Sequence, residues 1–83
     1  MYSVQVIRRA MRDISRLPSQ YARLVSNHIN RLSENPRPID AKRLRARTDY
    51  SLRVGVYRIL YEIDDRTRVV TIYRVKHRRD VYR

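Results

Sequence analysis

The chain is 83 residues long, has no Cys, no Trp and one Gly, and is 42% apolar, which suffices for one hydrophobic core and excludes a disulfide framework or thiolate metal site. Twenty Lys and Arg against eight Asp and Glu give a net charge of +12, and eighteen of the twenty are Arg, whose planar fork matches phosphate oxygens in pairs; a polyanionic partner follows, most simply RNA. Two isolated His residues cannot build a zinc cage, no apolar run nears the roughly 18 residues a bilayer span needs, and Met1-Tyr2-Ser3-Val4-Gln5-Val6 lacks a signal-peptide core, so one cytoplasmic domain over 1–83 with no structural metal or cofactor is expected.

Tyr2 to Val6 alternates apolar with polar, the period of a half-buried strand. Ala10, Met11, Ile14 and Leu17 then fall at helical spacing, with Arg8, Arg9, Arg12, Asp13 and Arg16 between them, and Pro18 ends that helix. Pro18 also suits the first turn of a second helix, whose apolar positions Tyr21, Ala22, Val25, Ile29 and Leu32 keep one face until Asn35-Pro36 stops the run. His28, one turn from both Leu24 and Leu32, reads as a packed or rim residue without a role.

From Arg37 to Asp49 the chain is rich in Pro and basic residues with no clean period, which predicts a crossing loop. This loop carries Lys42, Arg43, Arg45 and Arg47, four cations within six residues, as candidate RNA contacts. Three runs rich in Val, Ile, Leu and Tyr follow, Tyr50 to Val54, Val56 to Ile63 and Val69 to Val75, and predict a meander. The β-α-α-β-β-β order implies an α+β fold, a helical hairpin on one face of a four-stranded antiparallel sheet. The charge is uneven across it: residues 1–41 hold 7 basic and 3 acidic residues, residues 42–83 hold 13 and 5.

Gly55 fixes a register. A Gly at the first position of a two-residue hairpin loop predicts Gly55-Val56 as that loop, so Val54 pairs with Tyr57, Leu52 with Ile59 and Tyr50 with Tyr61, an apolar and aromatic set that faces the helices. On the other face Arg53 then lies across from Arg58, and Ser51 across from Leu60. Facing cations destabilise a sheet unless an anion sits between them, so this pair reads as a phosphate clamp; the plainer alternative is a surface bridge from Arg58 to Glu62 or Asp80.

Two segments resemble the RelE branch of the RelE/ParE toxin superfamily. Val56-Tyr57-Arg58-Ile59-Leu60-Tyr61-Glu62-Ile63 is similar to its "YRLLY" strand. Val75-Lys76-His77-Arg78-Arg79-Asp80-Val81-Tyr82 resembles its closing "V-G-H-R-x-D-V-Y" segment, with Lys76 at the glycine. With Lys42-Arg43-Leu44 ahead of the meander, the likeness spans nearly the whole chain.

The resemblance implies a toxin of a type II toxin–antitoxin system that cuts messenger RNA in the ribosomal A site, by attack of a ribose 2′-hydroxyl on the adjacent phosphate. Such chemistry needs a base, an acid and cations around the phosphorane, and no metal. By position, Arg58 and Arg78 match the family's active-site arginines and Tyr82 its C-terminal tyrosine; Arg53 falls at a second-strand lysine, and Ser51 stands where the best-known members have the first lysine of that strand. His77, as an imidazole, is a candidate proton shuttle beside Tyr82. Ser51, Lys76 and Arg79 join the loop cations as candidate RNA contacts, and a cognate acidic antitoxin is the implied partner beside messenger and ribosomal RNA. Two other functions fit the composition: a ParE-like inhibitor of DNA gyrase, and a non-catalytic RNA- or ribosome-binding protein held by phosphate contacts.

Overall fold

The computed structural model describes residues 1–44 and 49–80. In chain order the elements are β1 (Ser3–Val6), α1 (Arg8–Ser15), α2 (Ser19–Arg31), β2 (Ala41–Arg43), β3 (Asp49–Val54), β4 (Tyr57–Asp64) and β5 (Val69–His77), followed by a 3-10 turn, Arg78–Asp80.

The α+β arrangement, helices on one face of a sheet, is the one the pattern implies, but the sheet has five strands and is mixed. Its order is β1-β5-β4-β3-β2, with β1 parallel to β5 and every other pair antiparallel. The fifth strand is β2, inside the segment read as a crossing loop. Three residues cannot establish a period, and only Ala41 of the three is even half-buried, so nothing local marks β2 as a strand; its pairing with β3, Ala41 opposite Leu52, does. The parallel edge has a similar origin. Alternation in Tyr2 to Val6 reports one buried face but not the direction of a neighbour 66 residues away, Ser3 opposite Val69.

The β3–β4 register is the one that Gly55 predicts: Val54 opposite Tyr57, Arg53 opposite Arg58, Leu52 opposite Ile59, Ser51 opposite Leu60 and Tyr50 opposite Tyr61. Gly55 has φ +61°, the left-handed region that a side chain resists. Leu52, Val54, Ile59, Tyr61 and Ile63 enter the core with Ala10, Val25, Ile29 and Leu32 from the helices and Val70, Ile72 and Val75 from β5. Burying this apolar set supplies the main folding force.

The alternation of β5 changes phase once. Leu60 pairs with Arg74 but Tyr61 pairs with Ile72, which leaves Tyr73 as an extra residue, a β-bulge. The bulge is why Ile72 and Val75, three apart, both reach the core. On the helix side, Arg74 Nε donates to Asp13 Oδ2 at 2.8 Å, and the same oxygen accepts the Val75 amide at 2.9 Å. β1 ends opposite Ile72, so Asp13 supplies the acceptor that a neighbouring strand would otherwise give to this stretch of β5. Burial raises the Asp13 pKa, but the Arg74 hydrogen bond, the Val75 amide and the charges of Arg74 and Arg9 outweigh that and hold it below the ordinary carboxylate value.

No helix among the described residues is long and apolar enough to cross a membrane.

Candidate functional site

The helices cover one face of the sheet, and the site lies on the other. Strict alternation in β3 and β4 dictates which side chains reach that face: with Leu52, Val54, Ile59 and Tyr61 turned inward, Ser51, Arg53, Arg58 and Leu60 must turn outward. The neighbouring registers extend the set, since Lys42 on β2 stands opposite Ser51 and Lys76 on β5 opposite Arg58. Four cations, Lys42, Arg53, Arg58 and Lys76, thus come from four adjacent strands onto one face.

A cleft of about 470 Å³ opens here, lined by Ile39, Asp40, Lys42, Ser51, Arg53, Gly55 and Arg58. Its lining carries three cations and one carboxylate. Arg53 Nε donates to Gly55 O at 3.3 Å and Arg58 Nη1 donates to Tyr57 O at 3.5 Å, both backbone carbonyls, and neither guanidinium forms an ion pair among the described residues. The ion pairs among the described residues are Arg37–Asp65 and Arg74–Asp13; Arg58 bridges to neither Glu62 nor Asp80. Arg58 is half-buried, and two guanidinium groups directly opposite across a strand pair repel. The arrangement is chemically suited to an anion that takes both forks at once, as a phosphate does.

The C-terminal end of β5 approaches the same end of the sheet. The Arg78 amide donates to Val56 O at 2.7 Å, which ties the turn that carries Arg78 to the tip of the β3–β4 hairpin, between the flanks that carry Arg53 and Arg58. Arg78 and Arg79 are exposed. Arg45, Arg47 and Tyr82 lie outside the described residues.

Three candidate residues differ in setting from these exposed or half-buried cations. Ser51 is 5% exposed, a buried hydroxyl in the floor of the cleft. Arg43 is exposed and stands opposite Tyr50, so it shares the side of Leu52, not that of Lys42. His77 stands opposite Tyr57 on the helix side; its ring packs edge-on against Tyr57 at 5.8 Å, and Tyr57 in turn packs edge-on against Tyr21 of α2 at 5.3 Å.

Reading by pattern missed Asp40, the carboxylate that lines the cleft beside Lys42, because it sits in the aperiodic segment ahead of β2. It missed Asp13 for another reason: on α1 that residue looks like one more polar position among arginines, and its partner lies 61 residues away.

A polar cluster braces the opposite end of the sheet. Arg37 donates to both oxygens of Asp65, at 3.1 and 2.7 Å, and to the Tyr50 hydroxyl at 2.9 Å, while the Tyr2 hydroxyl donates to Asp65. The Arg37 hydrogen bond, then that of Tyr2, lowers the Asp65 pKa to about 2. Tyr61 is fully buried, stacks on Tyr50 and donates to Pro36 O at 2.8 Å; burial pushes its pKa up. Tyr73, on the bulge, is likewise pushed up, by burial and then by the charges of Asp49 and Glu62.

Comparison with known proteins places the chain in a family. Residues 4–82 match the family described as the ParE toxin of type II toxin–antitoxin systems, parDE. Toxin RelG of Mycobacterium tuberculosis is 40% identical over 85 residues, 99% of this chain and 97% of that protein. Among solved structures, a chain of the RelBE2 toxin–antitoxin complex of Mycobacterium tuberculosis superposes with a TM-score of 0.81 at 38% identity, covering 93% of this chain and 98% of that one. A chain of the archaeal RelE–RelB complex from Pyrococcus horikoshii OT3 gives a TM-score of 0.86 over 96% of this chain and 98% of that one; at 23% identity this speaks to the fold alone. By sequence over almost its full length, and by fold, the chain belongs to the RelE/ParE superfamily of type II toxins.

Proposed function

We propose that this toxin is a ribosome-dependent, metal-independent endoribonuclease that cuts messenger RNA by attack of a ribose 2′-hydroxyl on the adjacent phosphate. The observation that carries the reading is the Arg53–Arg58 pair: two cations opposed across β3 and β4 on the helix-free face, with Lys42 and Lys76 beside them and no carboxylate bridge to either arginine among the described residues. Opposed guanidinium groups fit a phosphate whose charge grows as the phosphorane forms, because every N–H added there strengthens in the transition state. The cations of the protein then do what a metal does in other nucleases. Arg58 and Arg53 hold the scissile phosphate, Arg78 enters from the turn after β5, and the family resemblance assigns proton transfer to Tyr82. Lys42, Lys76 and Arg79 guide the RNA backbone, joined by Arg45 and Arg47 of the basic segment, and Ser51 forms the floor; Arg43, on the other side of the sheet, is left out of this track. The reaction takes place on ribosomes in the cytoplasm.

An acidic antitoxin completes the reading. The matched chains of similar fold come from RelBE2 and RelE–RelB complexes, and a partner segment rich in Asp and Glu neutralises a +12 surface while covering the clamp.

Translating ribosomes incubated with the purified chain, followed by mapping of message ends, test the proposal. Arg58→Ala and Arg78→Ala are expected to lower cleavage by roughly a hundredfold or more, the scale of losing one donor to a developing oxyanion, and Tyr82→Phe to lower it with binding retained. Undiminished cutting in all three variants rejects the site. The description of the matched family as ParE favours a second reading, a gyrase inhibitor; loss of gyrase supercoiling with intact messages would select it. Binding to ribosomes with neither effect would leave a non-catalytic RNA-binding protein.

A further inference from the structure

We propose that His77 is a positioning residue: its Nδ1 accepts the Arg79 amide and so fixes the turn that carries Arg78, a role distinct from proton transfer. For its activity readout alone, the inference rests on the nuclease reading above.

The strand β5 ends at His77, and the next three residues make one 3-10 turn. A turn this short has almost no hydrogen bonding of its own, so contacts from outside must hold it. Two do. The Arg78 amide donates to Val56 O at 2.7 Å, and the Arg79 amide donates to His77 Nδ1 at 3.2 Å. His77 therefore stands in the cap position of the turn and accepts from the second residue after it, the donor that helix-capping side chains normally take.

The imidazole is itself held in place. Edge-on contacts run from His77 to Tyr57 at 5.8 Å and from Tyr57 to Tyr21 at 5.3 Å, so a residue of α2 and one of β4 set the ring plane. All three rings are half-buried on the helix side of the sheet. The register puts His77 opposite Tyr57, whereas Lys76, its neighbour, stands opposite Arg58. A proton on the imidazole is thus separated from the clamp by the sheet. A ring nitrogen that accepts an amide proton carries none, which leaves Nε2 as the donor nitrogen.

The same contact occurs twice more among the described residues with smaller acceptors: Asn35 Oδ1 accepts the Arg37 amide at 3.2 Å, and Asp64 Oδ1 accepts the Arg66 amide at 3.0 Å. An Asn at position 77 can therefore supply the missing acceptor without an imidazole. That separates capping from proton transfer.

The experiment compares the full chain with His77→Phe, which keeps an aromatic ring against Tyr57 but has no acceptor, and with His77→Asn. Hydrogen exchange of the Arg79 amide and ribosome-dependent cleavage are both measured. In His77→Phe, exchange is expected to quicken roughly fivefold, the scale of a lost cap, and cleavage to fall about tenfold or more as the turn wanders. His77→Asn is expected to recover most of both. Unchanged Arg79 exchange in His77→Phe overturns the proposal, as does a His77→Asn chain that protects the amide yet cuts no better than His77→Phe. If the unsubstituted chain cuts no message, the nuclease reading fails, and Arg79 exchange in the two variants still decides the cap. Should His77→Phe fail to fold, nitrogen NMR of the unsubstituted chain decides it: a scalar coupling across the hydrogen bond from the Arg79 amide to His77 Nδ1 upholds the cap, and an Nδ1–H tautomer overturns it.

Discussion

Single carboxylates and one glycine hold this molecule together at points where its abundant arginines cannot. Asp13 accepts from both Arg74 and the Val75 amide in a half-buried setting, so Asp13→Ala strands a cation and an edge amide and is expected to cost about 1–3 kcal/mol, read from urea unfolding. Asp13→Asn keeps one acceptor and should cost less. Both Asp13 and Asp65 have lowered pKa values in the fold, Asp65 to about 2, so each contributes stability above the ordinary carboxylate value that is lost as pH falls through the folded one. Thermal melting should therefore weaken from about pH 4 down to about pH 2, and Asp65→Asn should flatten the lower part of that fall; an identical profile in the variant would show that the Arg37–Asp65 pair is not linked to folding. At Gly55 a methyl group would sit 3.6 Å from Tyr21 Cε1, an ordinary contact, so Gly55→Ala is expected to cost only the left-handed backbone penalty, about 1 kcal/mol.

Helix α1 is the element whose sequence fits its structure least well as a helix. Arg8 and Arg9 occupy its first turn, where the helix dipole repels cations, Ile7 gives no side-chain cap, and neither helix has an acidic residue in its first turn. What keeps α1 in place is Ala10, fully buried against the sheet, together with the Asp13 bridge to β5. Replacing Arg8 by Glu should raise stability by about 0.5 kcal/mol in chemical denaturation, more at low salt. A loss of stability instead would mean that Arg8 makes a favourable contact in the fold. Patterning made both helices, the three meander strands and the hairpin register legible, because each has a buried face repeated over enough residues. It left β2 and the Tyr73 bulge unread, since three residues show no period and a bulge is an interruption of one.

The whole molecule separates an apolar, helix-covered face from a cationic one. Lys42, Arg53, Arg58 and Lys76 are scattered through 35 positions of sequence, yet strands β2 to β5 set them side by side. If that face tracks an RNA backbone, binding to single-stranded RNA should weaken with salt, and Lys42→Ala should reduce the log–log slope by about 0.7, the share of one phosphate contact. An unchanged slope would remove Lys42 from the interface.

Composition and period by themselves determined the excess of arginine, two amphipathic helices, the hairpin at Gly55 and, through its register, the opposition of Arg53 and Arg58, all of which depend on residues close in the chain. Tertiary structure alone decided the direction of β1 against β5, the recruitment of Asp13 to a strand edge, and the side of the sheet on which His77 lies. Each of these is a choice of partner across a long stretch of chain, made by burial and hydrogen bonding in three dimensions, and local spacing does not encode it.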